Sequence, residues 1–448
     1  MRRIRDRLSE RSTQGASELA ERVRPMAHPL RKTEDLDPLL DRIGDARCVL
    51  LGEASHGTSE YYTWRSRISE RLIREKGFSF IAVEGDWPDC YEVNRYVKGY
   101  PDSETSVREV LKTFDRWPTW MWANEETVDL LGRLRRHNEG LSEEKRVGFY
   151  GLDVYSLWES MEAVIEYLQH IDPKAVPAAR RAYECFQPYG EDAREYARAT
   201  RLVPTSCEDE VVDMLSELRG RLLEYRDDPE SRFNAEQNAL VVRNAERYYR
   251  TMVRGSSASW NVRDRHMAET LERLMRYHGP EAKAIVWEHN THIGDARATD
   301  MADAGMVNVG QLVREHRGAG DVVLVGFGSH RGSVIAGAQW GAPMERMRVP
   351  PAREGSWEDV LHRAGEEDKL LVFANAEDDL DGLLEPRGHR AIGVVYEPAH
   401  ERYGNYVPTV LPYRYDAFLY LNETQALHPL RVRPVEDGEP PETFPSGE

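Results

Sequence analysis

Eight short, strongly apolar runs punctuate this 448-residue chain on either side of residues 156–281, and they restrict its fold more than any other feature. They are CVLL (48–51), FIAV (80–83), VGFYGL (147–152), AIVW (284–287), VVLVGF (322–327), LLVFA (370–374), IGVVY (392–396) and AFLYL (417–421). Such runs lack the polar alternation of a half-wet strand, so each is expected to form a strand buried on both faces. Between the first of them lie amphipathic helical patterns. From Glu60 to Lys76, residues Tyr61, Trp64, Ile68, Leu72 and Ile73 recur at helical spacing, and Gly77 ends the pattern. Strand–helix–strand alternation calls for an α/β fold, a mainly parallel sheet flanked by helices.

The stretch 156–281 breaks that rhythm, with periodic charged and apolar segments such as VVDMLSELRGRLLEY and no convincing strand. The expected organisation is therefore two α/β halves, 1–155 and 282–428, with a large helical insertion at 156–281 roofing a cleft. Residues 429–448, rich in proline and acid, are expected to form a mobile tail.

Composition narrows the function. A formal net charge of −18 disfavours nucleic acid or an anionic membrane as partner, leaving a small molecule. The amino terminus carries no apolar signal stretch, and no run approaches the roughly 18 apolar residues of a membrane span, so a cytoplasmic location is expected. Cys48, Cys90, Cys185 and Cys207 lie far apart without a C-x-x-C pair, which suggests reduced thiols rather than a zinc or redox site. Oligomeric state is not written in the sequence.

In an open parallel sheet, ligands bind beyond the carboxyl ends of the strands. Four runs end there in ionisable residues: Glu53, Glu84, Asp153, and Glu288 with His289. The stretch LLGEASHGTSEYYTWR adds His56 and Arg65, and WEHNTHIGDARATD adds His292, Asp295 and Arg297. Gly52 and Gly57 are expected to permit a sharp turn after Glu53, with Thr58 or Ser59 capping the next helix. His56 then lies near a helix N-terminus, which lowers an imidazole pKa, and Glu53 is placed to fix its tautomer. Further along, Arg263 in SWNVRDRH offers a cation for an oxyanion or a salt bridge with Asp264 or a glutamate, and His330 and Arg331 are candidates to line the cleft. The run GFGSHR lacks the third glycine of a dinucleotide loop. G-x-S-x-G, G-x-x-x-x-G-K-[ST] and H-E-x-x-H are all missing, which leaves a His/Glu/Arg set suited to direct attack by water.

The motifs GEASHGTSE, VEGDW, WNVRDRHMAETL and WEHNTHIGDARATDM occur in an order that resembles the erythromycin esterase family over about residues 45 to 425. The resemblance implies an α/β fold with a helical insertion and a deep cleft, and hydrolysis of a macrolide lactone by water without a cofactor. It implies His56 as general base, Glu53 as its neighbour, Arg65 in the following helix, and Glu84, His289 and His292 as further members of the site. The expected substrate is a small-molecule ester or lactone, with Arg263, Asp153, Glu288, Asp295, Arg297 and His330 lining its pocket. Two other readings fit the same residues. One is a metal-dependent hydrolase with His56, His289, His292, Glu53 and Glu84 as ligands. The other is a non-hydrolytic binding or biosynthetic accessory protein of the same fold.

Overall fold

A computed structural model describes residues 15–101, 103–104, 106–189, 207–222, 228–252, 256–373 and 382–431. Eleven strands occur among them: β1 (Ala27–Pro29), β2 (Cys48–Leu51), β3 (Phe80–Val83), β4 (Gly148–Gly151), β5 (Ala284–Trp287), β6 (Val322–Gly337), β7 (Met344–Val349), β8 (Lys369–Val372), β9 (Arg387–Arg390), β10 (Tyr406–Thr409) and β11 (Ala417–Thr424). Nine form one sheet in the order β1-β8-β11-β6-β2-β5-β3-β4, with β7 added to β6. The six strands from β11 to β4 are parallel; β1, β7 and β8 join antiparallel.

The central strands have the two-sided burial that their composition demands. Along β2, β3 and β5, Val49, Leu51, Ile81, Val83, Ile285 and Trp287 enter one apolar core. Their neighbours Cys48, Leu50, Phe80, Ala82, Ala284 and Val286 enter a second core on the opposite face. Period-two alternation splits each continuous apolar run between two layers of helices. The Ser59–Lys76 helix follows β2 and ends at Gly77, whose φ of 69° suits a left-handed cap.

Between β4 and β5 the described residues form helices, among them Leu157–Ile171, Val176–Tyr183, Glu208–Leu222, Pro229–Met252 and Ser256–Tyr277. The first four enclose an apolar core of their own, including Leu157, Met161, Leu215, Leu240 and Tyr248.

Three expectations need correction. Cys185 and Cys207 are not reduced thiols but a disulfide, with Cα atoms 5.8 Å apart; the packing of Val176–Tyr183 against Glu208–Leu222 brings together two positions that sequence spacing leaves unrelated. IGVVY forms no strand: Ile392 and Val395 each make an isolated bridge, to Ser55 and Gly337, and the run is core filling under a loop. Gly52 and Gly57 do not have positive φ. They are required for space, since a Cβ on Gly52 would lie 2.1 Å from Asn290 Oδ1 and one on Gly57 1.9 Å from the Ile335 carbonyl oxygen. Of the expected tail, 432–448 lies outside the described residues, while the Leu430 N–H donates to the Ala123 carbonyl.

Candidate active site

The parallel strands end flush. Leu51 is paired with Trp287, Trp287 with Val83, and Val83 with Gly151, so the residues that follow emerge side by side along one sheet edge. The winding of the chain changes sense between β2, which leads on to β3, and β5, which leads back across β2 to β6, the arrangement that opens a crevice at the strand exits. Glu53, Glu84, Asp153, Glu288 and His289 all emerge there, and the short Asn290–Ile293 helix turns His292 back toward them.

On one side, Glu53 Oε1 accepts from His56 Nδ1 at 2.9 Å, and Glu53 Oε2 accepts from an Arg65 guanidinium nitrogen at 2.6 Å. A carboxylate only accepts, so His56 Nδ1 carries a proton, and in the neutral ring the lone pair is then on Nε2. Arg65 is fully buried, its guanidinium 4.5 Å from the Tyr62 ring centroid and 4.6 Å from that of Trp287. It thus anchors Glu53 from below.

On the other side, Arg263 grips both oxygens of Asp153, at 2.9 and 2.7 Å, and Glu84 Oε1 at 2.8 Å. Of the two expected partners, Arg263 takes the glutamate, Glu84, and not Asp264, whose Oδ1 accepts from His292 Nδ1 at 2.9 Å. His292 lies flat on Trp260, with ring centroids 4.5 Å apart. Glu84 Oε2 accepts the His289 backbone N–H at 2.8 Å, tying the exits of β3 and β5 together.

His289 joins the two sides, its ring centroid 4.9 Å from that of His56. Its Nδ1 accepts the Thr291 N–H at 3.3 Å and lies 2.8 Å from Thr291 Oγ1, which puts the ring proton on Nε2. That N–H has no hydrogen-bond partner among the described residues.

The charge balance follows from these contacts. Burial opposes the charged form of His292, but Asp264 and Glu84 outweigh it and raise its pKa to about 9. One Arg263 guanidinium nitrogen lies 3.1 Å from His292 Nε2, a contact suited to the neutral ring. Glu84 Oε1, 3.5 Å from the same atom, suits the imidazolium. Two carboxylates, Asp264 and Glu84, against one guanidinium favour the imidazolium. Burial would raise the Glu84 carboxyl, yet the cations His292 and Arg263 hold it well below the usual carboxylate range. Burial pushes His289 well below the ordinary histidine value, keeping it neutral. Burial pushes the Glu288 carboxyl well up; both its oxygens lack hydrogen-bond partners among the described residues.

Beside Glu84, Asp153 and Arg263 opens a cleft with about 580 Å³ of empty space, walled by Phe114, Trp117, Trp122, Trp340 and Tyr155. Not every sequence candidate gathers here. Asp295 pairs with Arg297 at 2.7 Å and Arg314 at 3.3 Å, a separate ion-pair group at the Ala296–Ala298 turn. His330 stacks on His362 with centroids 3.7 Å apart, and Arg331 is exposed and paired with Glu423. GFGSHR continues strand β6 rather than forming a loop. No group of three or more His, Cys, Asp or Glu side chains is arranged to hold a metal among the described residues.

Sequence reasoning missed the contacts of Asp264 and Trp260 with His292. Both are helical neighbours of Arg263, and only knowledge of the facing element assigns them.

Comparison with known proteins identifies the family and the fold. The family model for erythromycin esterase matches residues 73–424. The chain is 21% identical over 381 residues to erythromycin esterase type II of Escherichia coli, covering 80% of this chain and 87% of that protein. Among solved structures, a succinoglycan biosynthesis protein superimposes with a TM-score of 0.76 at 21% identity, covering 92% of this chain and 98% of the other. An erythromycin esterase mutant in its open conformation gives 0.66 at 17% identity, covering 91% and 97%. With the family model spanning most of its length, this chain belongs to the erythromycin esterase family.

Proposed function

We propose that the protein hydrolyses a carboxylic ester or lactone, a macrolide lactone among the candidates, by direct attack of water. His56 takes a proton from water at Nε2 while Glu53 steadies the resulting imidazolium through Nδ1. The hydroxide equivalent adds to the carbonyl carbon, and the His289 Nε2–H donates to the developing oxyanion. As the tetrahedral intermediate collapses, His292 gives its proton to the leaving alkoxide, and Glu84 and Asp264 hold it in the charged state needed for that transfer. Arg263 orients Asp153 and Glu84 and keeps the pocket from becoming a bare cluster of carboxylates.

The observation that carries this reading is the pair of imidazoles His56 and His289, ring centroids 4.9 Å apart, with the Glu53 carboxylate on Nδ1 of the first and, on the second, an Nε2–H that has no hydrogen-bond partner among the described residues. General-base help supplies about 10²–10⁴-fold, and a preorganised oxyanion donor about 10²–10³-fold. The aromatic cleft suits a substrate with a sizeable apolar body.

The test is incubation of the full chain with a panel of esters, lactones and macrolides in ¹⁸O-water. Hydrolysis by water places one label in the new carboxylic acid. An enzyme that cleaves none of the panel, or an acid without label, contradicts the proposal.

A further inference from the structure

We propose that Glu358, His389 and Asn290 form a positioning relay that sets the turn carrying His289 and His292. The inference rests on the assignment of those two histidines to the reaction.

Asn290 is fixed from every direction. Its backbone N–H donates to the Glu53 carbonyl at 2.9 Å, and its carbonyl accepts from Arg414 at 3.0 Å. The side chain docks on strand β6, where Oδ1 accepts the Phe327 N–H at 3.2 Å and Nδ2 donates to the Phe327 carbonyl at 2.7 Å. That double contact settles which end of the amide is nitrogen. The second Nδ2 hydrogen faces His389 Nε2 at 3.2 Å, so that atom must be the acceptor. The His389 proton is therefore on Nδ1, where Glu358 Oε1 accepts it at 2.6 Å. Glu358 Oε1 also accepts the Arg390 N–H at 2.9 Å.

The chain of contacts has one consistent proton arrangement, and its far end is a turn with a reacting imidazole on either side of Asn290. All three side chains are buried. A second proton on His389 would set N–H against N–H at Asn290 and push the turn. The charged groups around His389 are Glu358 on the Trp357–Arg363 helix, Arg390 beside it on β9, and Arg414 from the Leu411–Arg414 helix, while Tyr415 and Phe418 present ring edges. Burial and the two arginines, against Glu358, keep the ring below the ordinary histidine value. This relay touches no substrate; it acts through the turn.

The experiment uses the full chain labelled with ¹³C,¹⁵N-histidine, followed by imidazole NMR, with turnover of p-nitrophenyl acetate alongside. At pH 7 His389 is expected as the Nδ1–H tautomer. Glu358→Gln and His389→Ala are expected to move the His289 and His292 ring signals while leaving exposed His170 in place, and to lower kcat about 100-fold with KM within about twofold, the scale of a misplaced catalytic group. His389→Gln, which keeps an acceptor toward Asn290, is expected to restore most of kcat. Unmoved His289 and His292 signals, or a His389 proton on Nε2, overturn the relay. If the ring signals respond as expected but the wild-type chain cleaves no ester, the relay stands and the hydrolase assignment fails.

Discussion

Two buried polar networks are attached to the same sheet, and they are finished differently. At the β4 edge, Glu230 accepts from Lys98 at 2.6 Å, Tyr150 at 2.8 Å, Asn94 at 2.9 Å and Tyr100, while His278 reaches the Tyr150 hydroxyl at 3.1 Å. None of these side chains has an orphaned buried atom among the described residues. At the strand exits, by contrast, His289 Nε2, both oxygens of Glu288, Asp264 Oδ2 and Arg65 Nε have no hydrogen-bond partner among the described residues. A closed network of charges is a lock, here holding the Pro229–Met252 helix against the sheet. A network with spare donors and acceptors carries a cost in the resting protein that only a ligand or water can relieve.

The contrast breaks if the two networks respond alike to mutation. The largest effect is expected at the site. His56→Ala should lower kcat by about 10³-fold, a loss of general-base catalysis, with the thermal midpoint nearly unchanged. Steady-state kinetics beside a melting curve would show it, and a normal rate on a verified substrate removes His56 from the reaction. At the lock the pattern should invert. Lys98→Met leaves Glu230 buried without its cation, which costs about 3–5 kcal/mol, while kcat per folded molecule stays at the wild-type value. Urea unfolding measures the first and titrated turnover the second.

A smaller effect sharpens the comparison through pH. His292 has a folded pKa raised to about 9 against an ordinary unfolded value, so its stabilising contribution is complete below about pH 6.5 and is lost as pH rises toward 9. The loss is on the order of 3 kcal/mol. The difference in unfolding free energy between wild type and His292→Gln should shrink across that window. A difference that stays flat from pH 6 to 9 would show that His292 is not held as a cation by Asp264 and Glu84.

Much of the site was legible in the sequence because parallel strands obey a simple rule. Glu53, Glu84, Asp153 and His289 each follow an apolar run, and once the runs are parallel their exits must coincide. Helix Ser59–Lys76 was equally plain from its spacing. What escaped reading depended on partners from distant segments. Arg263 was visible as a cation, but its preference for Asp153 over adjacent Asp264 is set by the approach of the Ser256–Tyr277 helix to the sheet. His389 and Glu358 lie in segments with no apolar pattern to flag them, and β9 and β10 are too polar for a strand rule built on buried runs. IGVVY misled because apolar content measures burial, not hydrogen bonding. The Cys185–Cys207 bond likewise reflects helix packing, which spacing does not encode.

The flush register of β2, β3, β4 and β5 has one more implication. Glu53 and His292 stand some 240 positions apart, and the pieces between them enter the sheet out of chain order, so no contiguous fragment contains a working half. On the proposed hydrolase reading, activity is all or nothing with respect to assembly: a nascent chain acquires it only after β5 has slotted between β2 and β3, strands made long before. Enzymatic turnover would then be a stringent reporter of completed folding, more so than helix content or compactness.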